Sequence, residues 1–213
     1  MQFKIVLLYV LLWGCTIQLA LAQPQRFISQ QWRVREANKS AWIPAQVPGT
    51  IHTDLMRAGI IPDPFFGTNE KEVQWVGERS WVYETTFLLT ETEWLNPHLA
   101  LVFEGLDTYA RLYLNDSLVL VADNMFRAYR VPMAGIATRE NKLRVVFEPA
   151  ELMANRLAQQ AKPLVRPCEN NRHYVRKAQY HFGWDWAPHL VTCGIWKPVY
   201  ISFNGPQPAL PSV

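Results

Sequence analysis

The sequence predicts an all-β sandwich with one or two short helices, on three observations. Short segments of alternating apolar and polar residues recur from Ser80 onward, turn residues separate them at close spacing, and only residues 51–58 and 151–161 read as helices. Apolar residues make up 49% of the 213, enough for a sizeable core.

Residues 1–22 have the layout of a signal peptide. Lys4 gives a positive start, residues 5–13 are apolar, and Ala20-Leu21-Ala22 is a small-x-small cleavage site. That apolar run is too short to span a bilayer. Leu12-Trp13-Gly14-Cys15 loosely resembles a lipoprotein box, although Trp13 suits that pattern poorly. Export is therefore expected, to the periplasm or extracellular space, or to a lysosome in a eukaryote, with no membrane attachment after cleavage. The sandwich is expected over residues 23–203. Residues 204–213, beginning Asn204-Gly205-Pro206-Gln207-Pro208, have the composition of a linker to a further domain.

Within the sandwich, residues 26–37 read as a first strand, with Trp32 and Val34 alternating against Arg33 and Arg35. Val47-Pro48-Gly49-Thr50 is a tight turn, and Thr50 is positioned to cap a helix over 51–58 that ends at Gly59. Pro62-Asp63-Pro64-Phe65-Phe66-Gly67 predicts an ordered loop pinned by its aromatic rings. After Ser80, Trp81, Tyr83, Thr85 and Phe87 share one face of a strand. Strands over 99–103, 110–114, 118–121, 129–131 and 143–147 follow, with Asn115-Asp116 as a hairpin turn. Asn38-Lys39-Ser40 and Asn115-Asp116-Ser117 are formal glycosylation sequons. Residues 151–161 form a helix stopped by Pro163, and a last strand runs from Trp196 through Ser202.

The net charge of +3 is scattered, and no basic stripe argues for nucleic acid. His52, His98, His173, His181 and His189 lack metal-ligand spacing, and no cofactor loop is present. Export would permit a disulfide between Cys168 and Cys193, but two cysteines make no disulfide framework.

The strongest chemical signal is His181-Phe182-Gly183-Trp184-Asp185-Trp186-Ala187-Pro188. Two indoles around a carboxylate offer an apolar face for a sugar ring and an acceptor for its hydroxyls. The competing reading puts both tryptophans in the core and makes Asp185 a turn former. The other carboxylates, Asp54, Glu84, Asp107 and Glu151 among them, read as caps, turns or solvated strand faces. Asp107 could also brace a domain contact. Arg176 and Lys177 read as solvated charges or interdomain salt bridges, His173 and His181 as structural, and Trp75 and Trp81 as core.

Other stretches carry a resemblance. They are Val47-Pro48-Gly49-Thr50-Ile51-His52, Phe103-Glu104-Gly105-Leu106-Asp107-Thr108, Asp123-Asn124-Met125-Phe126, Val175-Arg176-Lys177-Ala178-Gln179-Tyr180 and Gly194-Ile195-Trp196-Lys197-Pro198-Val199. With the Trp-Asp-Trp segment they resemble the N-terminal domain of exported β-mannosidases, in the glycoside hydrolase family that includes β-galactosidase and β-glucuronidase. The resemblance implies a jelly-roll, galactose-binding-like sandwich, packed against downstream immunoglobulin-like and TIM-barrel domains. The barrel would hold the two glutamates of a retaining hydrolysis, and no catalytic residue is expected in this chain. Trp184, Asp185 and Trp186 would contact the terminal mannose of a β-mannoside oligosaccharide. Where the family usually has Gly, this chain has Ala187, which would be strained if the site required positive φ. The alternative is a free-standing carbohydrate-binding module.

Overall fold

A computed structural model describes residues 25–29, 31–161 and 170–205. The predicted signal peptide, Cys168, Pro163 and most of the predicted linker lie outside the described residues.

Ten strands build two antiparallel sheets. β1 (Gln25–Phe27), β5 (Ala100–Phe103), β8 (Tyr129–Pro132) and β12 (Val199–Ser202) form a four-stranded sheet in the order β1-β12-β5-β8. A six-stranded sheet has the order β3-β2-β4-β9-β6-β7. Its members are β2 (Arg33–Glu36), β3 (Ile43–Pro44), β4 (Trp81–Leu88), β6 (Ala110–Leu114), β7 (Ser117–Ala122) and β9 (Glu140–Phe147).

The period-two pattern sets the buried face of the strands that have solvent on one side. In β9, Asn141, Leu143, Val145 and Phe147 point inward while Lys142 and Arg144 do not. In β4, Trp81, Tyr83, Thr85 and Phe87 are buried, as their spacing predicts, but Val82 and Glu84 on the opposite face are buried as well, Glu84 beneath Arg33 and Lys142. Tyr83 meets Phe147 edge-to-face at 5.6 Å, and Leu101, Phe103, Val131 and Ile201 of the other sheet join the same core. This is the expected galactose-binding-like sandwich. Asn115 (φ +49°) and Asp116 (φ +64°) turn β6 into β7. The Asn115 amide donates to Ile136 O and Asn141 Oδ1, which ties the turn to the segment before β9.

Several elements depart from the sequence reading. The single first strand is two, because Gln31 takes φ +61° and sends β1 and β2 into different sheets. The last strand starts at Val199 rather than Trp196. Phe65 and Phe66 are about three-quarters exposed, so they do not pin their loop inward.

Four short helices occur among the described residues: α1 (Ile51–Arg57), α2 (Asn69–Glu72), α3 (Glu91–Trp94) and α4 (Ala150–Gln160). Thr50 caps α1, with its N–H donating to Thr53 Oγ1 at 3.3 Å. Gly49 is required just before it, since a Cβ there would lie 2.3 Å from Gln46 O. No helix among the described residues is long and apolar enough to cross a membrane.

Candidate functional site

The Trp-Asp-Trp stretch is the tip of a hairpin belonging to neither sheet. β10 (Phe182–Trp184) pairs only with β11 (Ala187–His189), with Trp184 opposite Ala187 and Phe182 opposite His189, so Asp185 and Trp186 make the turn. Phe182 is sunk in a small cluster with Ala150, Ala154, Val175 and Val191, which roots the hairpin on α4. Between buried Phe182 and exposed Trp184 lies Gly183 at φ +83°, a conformation that side-chain-bearing residues avoid.

The structure rules out the core reading of the tryptophans. Trp184 is 51% and Trp186 69% exposed, and Asp185 is exposed between them. A solvent-facing pair of indoles is not a core. Asp185 makes no ion pair or side-chain hydrogen bond among the described residues, so its carboxylate is open to a ligand. Ala187 is not at positive φ and sits in β11, so the strain considered for that position does not arise.

The rings are nevertheless held. Arg172 donates through Nη1 to Gly183 O at 3.1 Å, and its guanidinium lies 4.9 Å from the Trp184 ring centroid. Trp186 leans on Tyr180, with centroids 6.0 Å apart. Beside them opens a mainly apolar cavity of about 370 Å³, lined by His52, Met56, Phe65, Tyr180, His181 and Pro188 among others.

Under the cavity lies a buried ion pair that sequence reasoning misread. Lys177 is not a solvated charge, and Asp107 is more than a turn residue. Both side chains are at most 1% exposed, and Lys177 Nζ stands 2.5 Å from Asp107 Oδ2 while also donating to Thr192 O at 2.8 Å. The contacts tie the segment entering the hairpin to the one leaving it. Burial pulls the Lys177 pKa down, and the Asp107 carboxylate opposes that.

His181 and His52 are held neutral. Burial, reinforced by the Lys177 cation, lowers each pKa to about 4. The 3.7 Å approach of His181 Nδ1 to Asp107 is therefore not an ion pair near neutral pH. Asp54 is also fully buried rather than a solvated acid, accepting from Gln46 N, Tyr83 Oη and Arg57, and desolvation raises its pKa.

The outer strand of the hairpin is anchored by residues the sequence did not flag. His189 N–H donates to Glu70 Oε1 at 2.7 Å, its Nδ1 faces Gln74 Oε1 at 2.8 Å, and its Nε2 faces Glu151 Oε1 at 3.1 Å. These partners are 119, 115 and 38 residues away in sequence, beyond the reach of any local pattern. No group of three or more His, Cys, Asp or Glu that could hold a metal occurs among the described residues.

Residues 32–197 match the family model described as the glycosyl hydrolase 2 galactose-binding domain-like domain. The chain is 42% identical over 181 residues to Beta-mannosidase B of Thermothelomyces thermophilus, covering 82% of this chain and 21% of that protein. Among solved structures it superposes on the β-D-mannosidase from Dictyoglomus thermophilum with a TM-score of 0.82 and 36% identity, covering 84% of this chain and 22% of that one. Amycolatopsis orientalis exo-chitosanase CsxA, at 19% identity and TM-score 0.62, covers 85% of this chain and 21% of its own, and shares the fold.

The chain thus belongs to the galactose-binding-like N-terminal domains of glycosyl hydrolase family 2. Within that family, the relatives named above at 36% and 42% identity are β-mannosidases. The chain spans about a fifth of the length of these relatives.

Proposed function

We propose that this domain serves a β-mannosidase that removes terminal non-reducing β-D-mannose residues by a retaining mechanism, and that its hairpin forms one wall of the substrate pocket. The observation that carries this is the solvent-facing Trp184-Asp185-Trp186 turn, rooted at its base and unpaired at its carboxylate. Trp184 and Trp186 would pack on the apolar face of the hexose, and Asp185 would accept hydrogen bonds from its hydroxyls.

Retaining hydrolysis needs two carboxyl groups about 5–5.5 Å apart across the scissile bond. In this reading both come from a catalytic barrel outside this chain, so the chain alone would be inactive. The exposed rings of Phe65 and Tyr180, which line the apolar cavity, suit a face that packs against further domains. The mature protein would be exported, and no cofactor is required.

A domain exchange tests the proposal. The corresponding domain of the Dictyoglomus thermophilum β-D-mannosidase would be replaced by residues 23–203 and kcat/KM measured on an aryl β-mannoside. A folded chimera should be active and should lose activity when Asp185 becomes Ala. A folded chimera indifferent to Asp185→Ala would remove the hairpin from the pocket. Calorimetry of the chain with mannobiose separates the competing binding-module reading, which requires millimolar or tighter affinity without any partner domain.

A further inference from the structure

His189 occupies a position that only the charged imidazole satisfies fully. The orientation of the Gln74 amide is fixed independently of the ring, because Gln74 Nε2 donates both to Glu70 O at 2.6 Å and to His189 O at 2.8 Å. Its Oε1 must therefore be the atom facing His189 Nδ1, and that nitrogen must carry a proton. On the other side of the ring, Nε2 faces a carboxylate oxygen of Glu151, which accepts and cannot donate when ionised. Both ring nitrogens thus meet acceptors, and a neutral imidazole would turn a lone pair toward one of them.

The surrounding groups act in the same direction. Glu151 projects from α4, Glu70 from α2, and Gln74 from the short helical turn Gln74–Val76. His52 of α1 shares a small cavity with His189 and Glu151 but is kept neutral by burial and by Lys177, so no cation there opposes a charged His189. The Glu151 hydrogen bond raises the His189 pKa, burial works against it, and the Glu151 and Glu70 charges reinforce the rise.

We propose that His189 is a positioning residue whose protonation clamps β11 to α4 and the Gln74 turn, so that the hairpin loosens its hold on a sugar as His189 becomes neutral. This regulation rests on the reading of the hairpin as a sugar contact, whereas the clamp itself does not. The link is short: Trp186 is three residues from His189, and Trp184 pairs with Ala187 in the same two-stranded ladder. Proton loss removes one of the two side-chain contacts and leaves the main-chain contacts to Glu70 and Gln74. The expected response is thus a graded loosening of the tip without unfolding of the sandwich.

The test needs no sugar. The chain, labelled with nitrogen-15, is titrated between pH 5 and 9 by NMR, following the imidazole nitrogens and the tryptophan indole N–H signals. His189 should be protonated on both nitrogens at pH 6.5 and titrate above that ordinary value, with the Trp184 and Trp186 signals moving at the same midpoint. Glu151→Gln should bring the midpoint back toward 6.5 in a chain whose circular dichroism is unchanged. His189→Gln should abolish the coupled movement of the indole signals.

A His189 midpoint at or below 6.5, or indole signals that ignore it, would overturn the clamp. If the clamp titrates as expected while the domain-exchange enzyme ignores Asp185, the clamp survives and the sugar reading fails, so the two can fall separately.

Discussion

Lys177 and Asp107, 70 positions apart, meet as a buried ion pair under the hairpin. Removing one partner strands the other charge without solvent. Lys177→Met is expected to cost roughly 3–5 kcal/mol, while the double substitution Lys177→Met, Asp107→Leu should recover much of that loss. Urea unfolding of the three chains measures both. Equal destabilisation by the single and double changes would mean that the pair contributes no coupling.

Asp185 should behave in the opposite way. It is exposed and unpaired, so Asp185→Ala should shift unfolding by no more than about 0.5 kcal/mol. In the domain-exchange enzyme the same change should lower kcat/KM roughly tenfold to a hundredfold, the loss expected for hydrogen bonds to a charged acceptor. A large loss of stability with unchanged kinetics would reverse the assignment.

Two small residues of the hairpin make a contrasting pair. Gly183 sits at φ +83°, and Gly183→Ala should cost about 1–2 kcal/mol. Ala187 is ordinary strand, so Ala187→Gly should destabilise by about 0.5–1 kcal/mol rather than relieve strain. Thermal unfolding of both variants checks the sign. A rise in Tm for Ala187→Gly would show strain that the backbone angles do not.

The pH dependence of stability follows from two histidine populations of opposite sign. His52 and His181 have folded pKa values near 4, below the unfolded value of 6.5. Between those limits the unfolded chain binds more protons, so their contribution is present above pH 6.5 and is lost as pH falls toward 4. Each can supply a slope of up to about 1.4 kcal/mol per pH unit. His189 is raised, so its contribution is present below 6.5 and is lost as pH rises through its folded value. Unfolding free energies from pH 4.5 to 8.5 should peak near neutrality, and substituting His52 and His181 with Gln should flatten the acid limb alone.

The sandwich was legible because period-two burial is a local property: residues 143, 145 and 147 declare their face without knowing their partners. The hairpin was legible as a motif through its resemblance to a family, since two indoles flanking an acid suit a core and a turn as readily as a sugar contact. Its exposure was not, because burial depends on neighbours contributed by α4 and the Gln74 turn. Lys177 looked like a surface charge for the same reason. Beside Arg176, which is exposed, nothing local separates the two. Only the approach of Asp107, 70 positions earlier in the chain, turns that lysine inward.

The isolation of the two-stranded ladder has a consequence for how this domain can change. Because β10 and β11 form a ladder only with each other among the described residues, substitutions at the turn propagate into no other ladder. The finger is a cassette: its length and chemistry can be rewritten while the scaffold below keeps its register. Under the proposed function, new specificities are to be sought by diversifying residues 184–186 and leaving Phe182 and His189, where the cassette is plugged in, as they are.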